Sequence, residues 1–454
     1  MYLRPNWLPA NTLTPTQFIH EWAHHLEGKG YEIADASRGK PSFPADKDAA
    51  KAVLATAEGL FWGGINTSPY GKYSIGEKEF RTKAAQGFEN EYGIPFNTYN
   101  MIFTSGGQFA IAAIFSAIEQ ANPNSVIITP SPYYTNHYEL AHMFSGTNFY
   151  EKGTAPNKFK TIDLLKTPDF RLTGALVKQA ADEVTSEGKN IGAFLFCNPM
   201  NPLSLVTNEK EWLEIAEVLR QHPETPIILD EAFAEIIFAL ADTKESIKWS
   251  LLHAAPDLQN RTFLMRSGTK ALGFSGERLA VMYCPDKFLP TITSLQSRLI
   301  GNAPLTSQAG MAEAMSKMSL EKKAKISAYY KQNAEYIFEE VKKLGLLLSD
   351  KLIPEGCFYL LINLQQLIGK KIPEAAQKFC EDKKIIENDV DIAISLLHGM
   401  DWNEDKKFGK KGLALVPASY FGVDTKLGVM RLSFSPHKSE LEGIVAMLRL
   451  AVGK

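Results

Sequence analysis

The stretch RTFLMRSGTKALGFSGERLAVMY, residues 261–283, decides the reading of this chain. It holds two short apolar runs, at 261–265 and 279–283, each of strand length and bounded by turn-forming residues. Between them stand Ser267, Lys270, Gly276 and Arg278. A lysine just past a strand, with a hydroxyl three residues before it and an arginine eight after it, suits an amine nucleophile beside a bound phosphate. The amine needs surroundings that free it of its proton. A dianionic phosphate needs several donors, and the arginine fork supplies some of them. S-x-x-K alone also fits a surface lysine near a salt-bridged arginine, so its neighbours carry the argument.

Upstream, apolar runs at 100–104, 125–129, 191–197 and 226–230 alternate with helical stretches such as 108–120 and 209–221. Short continuous apolar runs between helices predict a parallel sheet covered on both faces. Ligands of such sheets sit beyond the carboxyl ends of the strands. Polar residues gather at those ends: Ser105-Gly106-Gly107-Gln108, Asn198–Asn201, Asp230 and Ser267–Lys270. Glycines ahead of a helix let the backbone approach an anion, although a plain strand-to-helix turn uses the same residues. A carboxylate at a buried strand end needs a partner, and a protonated pyridine nitrogen is one, although an Asp there also serves to cap the next element. Asn201, within NPMNP, reads as a turn residue or as an amide donor.

Hydrophobic residues make up 45% and charged residues 22% of the 454, which excludes disordered and fibrous classes and predicts two or three globular domains. Lys+Arg 49 against Asp+Glu 51 leaves a formal charge of -2, so no basic footprint for nucleic acid or an anionic membrane exists. Four cysteines without a C-x-x-C pair read as free thiols in a reducing compartment. The opening MYLRPNWLPANTLTPTQF has neither the basic nor the apolar region of a signal peptide, and a cytoplasmic location is expected.

Helical stretches are expected at 13–28 and 45–58, and one long helix over about 305–345. Past about residue 325 the strand candidates are 358–363, 413–416 and 429–434, which predicts a smaller α+β domain. The expected division is an N-terminal arm and part of the small domain over 1–60, a large cofactor-binding domain over 61–304, the connecting helix over 305–345, and the C-terminal small domain over 346–454. Residues 398–412, HGMDWNEDKKFGKKG, read as a polar, lysine-rich surface loop.

The order TSGGQ, NPMNP, DEAF, SGTK…GER, RLSF resembles the fold-type I pyridoxal-phosphate enzymes, specifically the class I/II aminotransferase family. RGKPSF at 38–43, YSIGEKEFR at 73–81, PYY at 132–134, PEGCFY at 354–359 and VPASYFG at 416–422 extend the likeness to nearly the whole chain. The resemblance implies an α/β fold with a mostly parallel seven-stranded sheet between helices, plus a smaller α+β domain. It also implies transfer of an amino group between an α-amino acid and a 2-oxo acid, by a ping-pong route with pyridoxal 5′-phosphate. Within it, Lys270 would carry the cofactor and shuttle the proton, and Asp230 would pair with the pyridine nitrogen. Asn201 would bond the 3′ oxygen. Gly107, Gln108, Ser267 and Arg278 would hold the phosphate. Tyr134 would stack on the ring, with Tyr133 as the fallback. Tyr73 would reach the phosphate of the neighbouring subunit in a homodimer with shared sites. Arg431 would fork onto the substrate α-carboxylate, and the Gly39 backbone would close over it. Tyr133, Tyr134, Phe233 and Phe358 hint at an apolar or aromatic donor side chain, or simply pack the cofactor and core.

Three departures stand out. Phe233 occupies the position where many members have a tyrosine that donates to the 3′ oxygen. NPLS at 201–204 replaces a small polar-Gly pair, and 398–412 is longer than usual. His20-Glu21-Trp22-Ala23-His24 is a literal H-E-x-x-H, a zinc motif on a helix. Glu27 and Gly30 stand where its longer form needs Gly and His, so a polar helix without metal is the expectation. Penicillin-binding enzymes also use S-x-x-K, but K-T-G and S-D-N are absent. A pyridoxal-phosphate lyase or decarboxylase shares these residues, and a non-catalytic binding protein on the same fold is the third class. No basic cluster precedes residue 39 to support the last.

Overall fold

A computed structural model describes residues 15–62, 70–143, 158–243, 245–399 and 410–454. Its strands in chain order are β1 (Glu32–Asp35), β2 (Met101–Ser105), β3 (Val126–Ser131), β4 (Phe159–Asp163), β5 (Ile191–Cys197) and β6 (Ile227–Asp230). They continue with β7 (Thr262–Ser267), β8 (Leu279–Tyr283), β9 (Tyr359–Asn363), β10 (Lys411–Ala414), β11 (Val416–Pro417) and β12 (Val429–Ser433). Seven of them form one sheet in the order β2-β8-β7-β6-β5-β3-β4. β8 runs antiparallel to both its neighbours, and the other pairings are parallel.

Alternation along the strands explains why this sheet is buried on both faces. Phe194, Phe196, Ile227, Leu229 and Leu264 point into one apolar cluster. Ala193, Leu195, Ile228, Phe263 and Met265 point into another. Both faces need helical cover, and the continuous apolar runs in the sequence reflect that need. A third cluster gathers the helix Pro15–Glu27, β9, the helix Asp389–Leu397 and the helix Lys438–Val452. There β11, β12 and β9 form a small antiparallel sheet, and β1 pairs in parallel with β10.

Several expectations change. The single helix over 305–345 is two, Leu305–Ser316 and Leu320–Lys343, because Ser319 caps a new start by accepting from the Lys322 N–H. The strand expected at 413–416 is divided between β10 and β11. β1 and β4 form strands that the sequence pattern does not predict. Of the loop 398–412, residues 400–409 lie outside the described residues, and Lys411 already belongs to β10. Among the described residues no helix is long and apolar enough to cross a membrane.

Candidate active site

β2, β5, β6 and β7 end on the same edge of the large sheet, at Ser105, Cys197, Asp230 and Ser267. A cavity of about 190 Å³ opens there. Gly107, Gln108, Tyr134, Asn201, Asp230, Ser267, Lys270 and Arg278 all line it. The residues singled out from five separate stretches therefore converge on one space.

One end of the cavity is cationic and rich in donors. The helix Gly107–Ala121 starts here, and the first N–H groups of a helix have no carbonyl within it. Gly106 sits at φ 86°, and a Cβ there would fall 2.5 Å from Arg278 Nη2. Glycine is thus what lets the guanidinium lie against this turn. Ser267 Oγ bonds Thr269 Oγ1 at 2.8 Å and receives the Thr269 N–H at 3.2 Å, so both hydroxyls face the same corner.

The opposite end is anionic. Asp230 is 4% exposed, and His137 Nε2 lies 2.8 Å from its Oδ2. The Ala232 N–H donates to its other oxygen at 3.2 Å. The Tyr134 ring meets His137 edge-on at 5.3 Å. Burial, and then the Asp230 charge, push the Tyr134 phenol up to about 12, so it stays protonated. Tyr133 does not line the cavity. Its N–H donates to the Phe421 carbonyl at 3.1 Å, and its ring stacks on Tyr138.

Lys270 lies between the two ends. Its Nζ donates to the Gly39 carbonyl at 2.8 Å and faces the rings of Phe233 and Phe358 at 5.5 and 5.6 Å. Burial, and then the nearby Arg431 charge, pull its pKa down to about 8. A Cβ at Gly39 would fall 2.9 Å from Nζ and 2.5 Å from the Tyr359 hydroxyl, so this close approach requires glycine.

Arg431, on β12, is buried at 3% exposure with its faces packed against Tyr359 at 4.2 Å and Phe421 at 4.7 Å. Nη2 donates to the Ser37 carbonyl at 3.0 Å, and Nη1 lies 3.4 Å from Asn201 Oδ1. Nε has no partner. A buried guanidinium with a spare donor is built to receive an anion. Asn136 is likewise buried in the cavity wall with its Oδ1 unpartnered. Tyr73 does not join this cavity. It is exposed, with its ring 5.8 Å from the Arg81 guanidinium.

Ser204 takes the place of the usual glycine and adopts φ 59°. Its buried hydroxyl donates to the Tyr359 carbonyl at 2.7 Å, and its own carbonyl receives the N–H groups of Glu355 and Gly356. The turn therefore keeps a left-handed residue and gains a tie to β9. His137 does not stand out in the sequence; its one signal is its place a helical turn after Tyr134. The H-E-x-x-H histidines are taken up elsewhere. His24 Nδ1 meets Glu27 at 2.7 Å and its Nε2 meets Arg38 at 3.0 Å. Among the described residues no group of three side chains could hold a metal ion.

The family model described as "Aminotransferase class I and II" matches residues 37–445. A probable aspartate/prephenate aminotransferase of Rickettsia bellii is 24% identical, over 97% of this chain and 96% of its own length. A Petunia hybrida bifunctional aspartate aminotransferase and glutamate/aspartate-prephenate aminotransferase is 23% identical, over 98% of this chain and 82% of its own. The crystal structure of the aspartate aminotransferase from Rhizobium meliloti superposes with a TM-score of 0.76 at 19% identity, covering 100% of this chain and 99% of that one. The Thermus thermophilus aspartate aminotransferase with maleate gives 0.73 at 19% identity, covering 99% and 97%. The chain belongs to the class I and II aminotransferases.

Proposed function

We propose that this aminotransferase uses pyridoxal 5′-phosphate, held in the cavity between Arg278 and Asp230, and moves an amino group from an α-amino acid to a 2-oxo acid by a ping-pong route. The observation that carries the reading is the position of the Lys270 amine between a donor-rich corner and a buried carboxylate. The residues present fit the group. The turn at Gly106, Ser267, Thr269 and Arg278 suit its phosphate. Tyr134 and Ala232 suit the faces of a planar ring, and Asp230 suits a protonated ring nitrogen. When bound, pyridoxal phosphate supplies an aldehyde for amines and a ring that delocalises electrons released at the donor's α-carbon.

The protein's part follows from its own groups. Lys270, with its lowered pKa, anchors the cofactor and later takes the α-proton on Nζ. Asp230, steadied by His137, stays next to the ring nitrogen and keeps a proton there. Asn201 would steady the 3′ oxygen, without help from position 233 because Phe233 has no hydroxyl. Arg431 receives the α-carboxylate through Nε and its neighbouring donors, with the 37–39 backbone closing over it.

Borohydride treatment of the cofactor-loaded protein should add the reduced cofactor's mass to the peptide bearing Lys270. An amino donor alone should abolish the visible band, and a 2-oxo acid should restore it. Lasting elimination products without that exchange would favour a lyase. Aspartate and prephenate, the substrates in the relatives' names, are the first pair to assay.

We also infer a homodimer with shared sites. Phe61, Trp62, Tyr70, Tyr73, Tyr99 and Leu299 are exposed, and Trp62 and Tyr70 reach 77% and 89%. Such exposure marks an association surface. Sedimentation should give twice the chain mass. Tyr73→Phe should weaken cofactor binding, although Tyr73 lies outside its own chain's cavity; a monomer with unaltered binding would overturn this.

A further inference from the structure

Outside the cavity, Asp35 ties together backbone whose carbonyls bond Lys270 and Arg431. Its Oδ1 accepts the Ser37 N–H at 2.9 Å and the Ser37 hydroxyl at 2.6 Å. Its Oδ2 takes the Arg38 Nε and lies 3.4 Å from His20 Nδ1. Arg38 in turn meets His24, so the H-E-x-x-H helix braces this carboxylate. Burial works against ionisation, but the nearby His20, the hydrogen bonds from Ser37 and the Arg38 charge outweigh it and hold Asp35 below the usual carboxylate range.

On either side the chain is fixed by sheet bonds. Asp35 pairs with Ala414 of β10. The Ala36 N–H donates to the Ala414 carbonyl at 3.0 Å, and the Ser433 N–H donates to the Ala36 carbonyl at 2.8 Å. The next carbonyls face the site. Ser37 O receives Arg431 Nη2, and Gly39 O receives Lys270 Nζ. The turn supplies carbonyls to both, and Asp35 bonds its Ser37 end, the end that meets Arg431.

Arg431 depends on this turn more than on its other neighbours. Two rings lie against its guanidinium, and hydrogen-bond partners are what fix its rotation. Of these, Ser37 O at 3.0 Å is closer than Asn201 Oδ1 at 3.4 Å. A carboxylate needs two coplanar donors at fixed angles. We propose that Asp35 is a positioning residue of the reaction, which fixes Ser37 and through it the orientation in which Arg431 meets the donor's α-carboxylate. The inference rests on the carboxylate role given to Arg431 above.

The test compares cofactor-loaded wild type, Asp35→Ala, Asp35→Asn and Arg431→Lys with an α-amino acid donor and with a primary amine lacking the carboxylate. Asp35→Ala should raise KM for the amino acid on the order of tenfold and change kcat little, with no change for the plain amine. Asp35→Asn keeps an oxygen toward Ser37 and should fall between the two; it decides the matter if the alanine variant does not fold. An unchanged KM, or an equal rise for both substrates, overturns the proposal. If Arg431→Lys raises KM for the amino acid and neither Asp35 variant does, only this proposal fails. If Arg431→Lys leaves that KM unaltered, the role given to Arg431 fails and this proposal falls with it.

Discussion

His137 Nε2 and Asp230 Oδ2 lie 2.8 Å apart, both buried, where the helix Thr135–Met143 meets the end of β6. The contact gives the carboxylate a partner on the protein side and leaves the rest of it toward the cavity. Asp230→Asn keeps the shape and removes the charge, so kcat/KM should fall on the order of a hundredfold or more. His137→Asn should cost on the order of tenfold, since it loosens Asp230 without discharging it. Steady-state kinetics check both; a His137 variant as impaired as the Asp230 variant would make the histidine more than an orienting group.

Lys270 should behave as an unusually acidic amine in the cofactor-free protein. With a pKa of about 8 it is mostly protonated below that pH and mostly free above it. About one molecule in ten carries the free base at pH 7, against roughly one in three thousand for an ordinary lysine. Uptake of pyridoxal phosphate, followed by its visible band, should therefore rise with pH and level off above about 8. A rate that keeps climbing toward pH 10 would contradict the lowered value.

Phe233 is 3% exposed, lines the cavity and packs edge-on against Phe358 and Tyr359. Its ring lacks a hydroxyl, so under the proposed function Asn201 would meet the 3′ oxygen without a donor from position 233. Phe233→Tyr should lower the pH midpoint of the cofactor's visible band by about one unit, because a donor beside the oxygen favours its ionised form. An unchanged midpoint would show that Phe233 is not what sets it.

Glu231 follows Asp230 but turns away from the cavity. Burial, only partly offset by Arg266, pushes its carboxyl up to about 7. Tyr92 and Ser250 donate to it. Folding thus binds a proton here between about pH 4.5 and 7. The stability it brings is complete below the unfolded value and fades as pH rises through 7. Glu231→Gln does not titrate, so its melting temperature relative to wild type should improve from pH 5 to pH 8. The gain should be on the order of 1–3 kcal/mol. A constant difference across that range would show that the carboxyl is ionised throughout.

Much of this was legible in the sequence, for a physical reason. Strands buried on both faces must be continuously apolar, so β5, β6, β7 and β8 and the polar residues at their ends stood out. β4 did not, because this edge strand buries Phe159 and Ile162 but leaves Lys160 and Thr161 partly or wholly exposed. The break at Ser319 carries neither Pro nor Gly, so periodicity runs across it. His137 and Asp35 act through tertiary contacts with residues 93 and 396 positions away — Asp230 directly and Arg431 through Ser37 — and no local pattern announces such partners.

The turn at Gly106 offers a test of the phosphate corner that separates backbone strain from ligand contact. Its φ of 86° with ψ 161° is costly for any residue with a Cβ, by about 1–3 kcal/mol. An alanine there would also press on Arg278 Nη2, the mobile end of a side chain that would swing aside. Gly106→Ala should therefore lower both the melting temperature and, on the order of tenfold or more, the affinity for pyridoxal phosphate. Gly188 supplies the control: it has φ 69°, and a Cβ added there would meet nothing within 4 Å. Gly188→Ala should carry a backbone strain of its own and leave cofactor affinity untouched. If both variants bind the cofactor like wild type by equilibrium dialysis, the Gly106–Arg278 contact is a packing feature and the phosphate sits elsewhere.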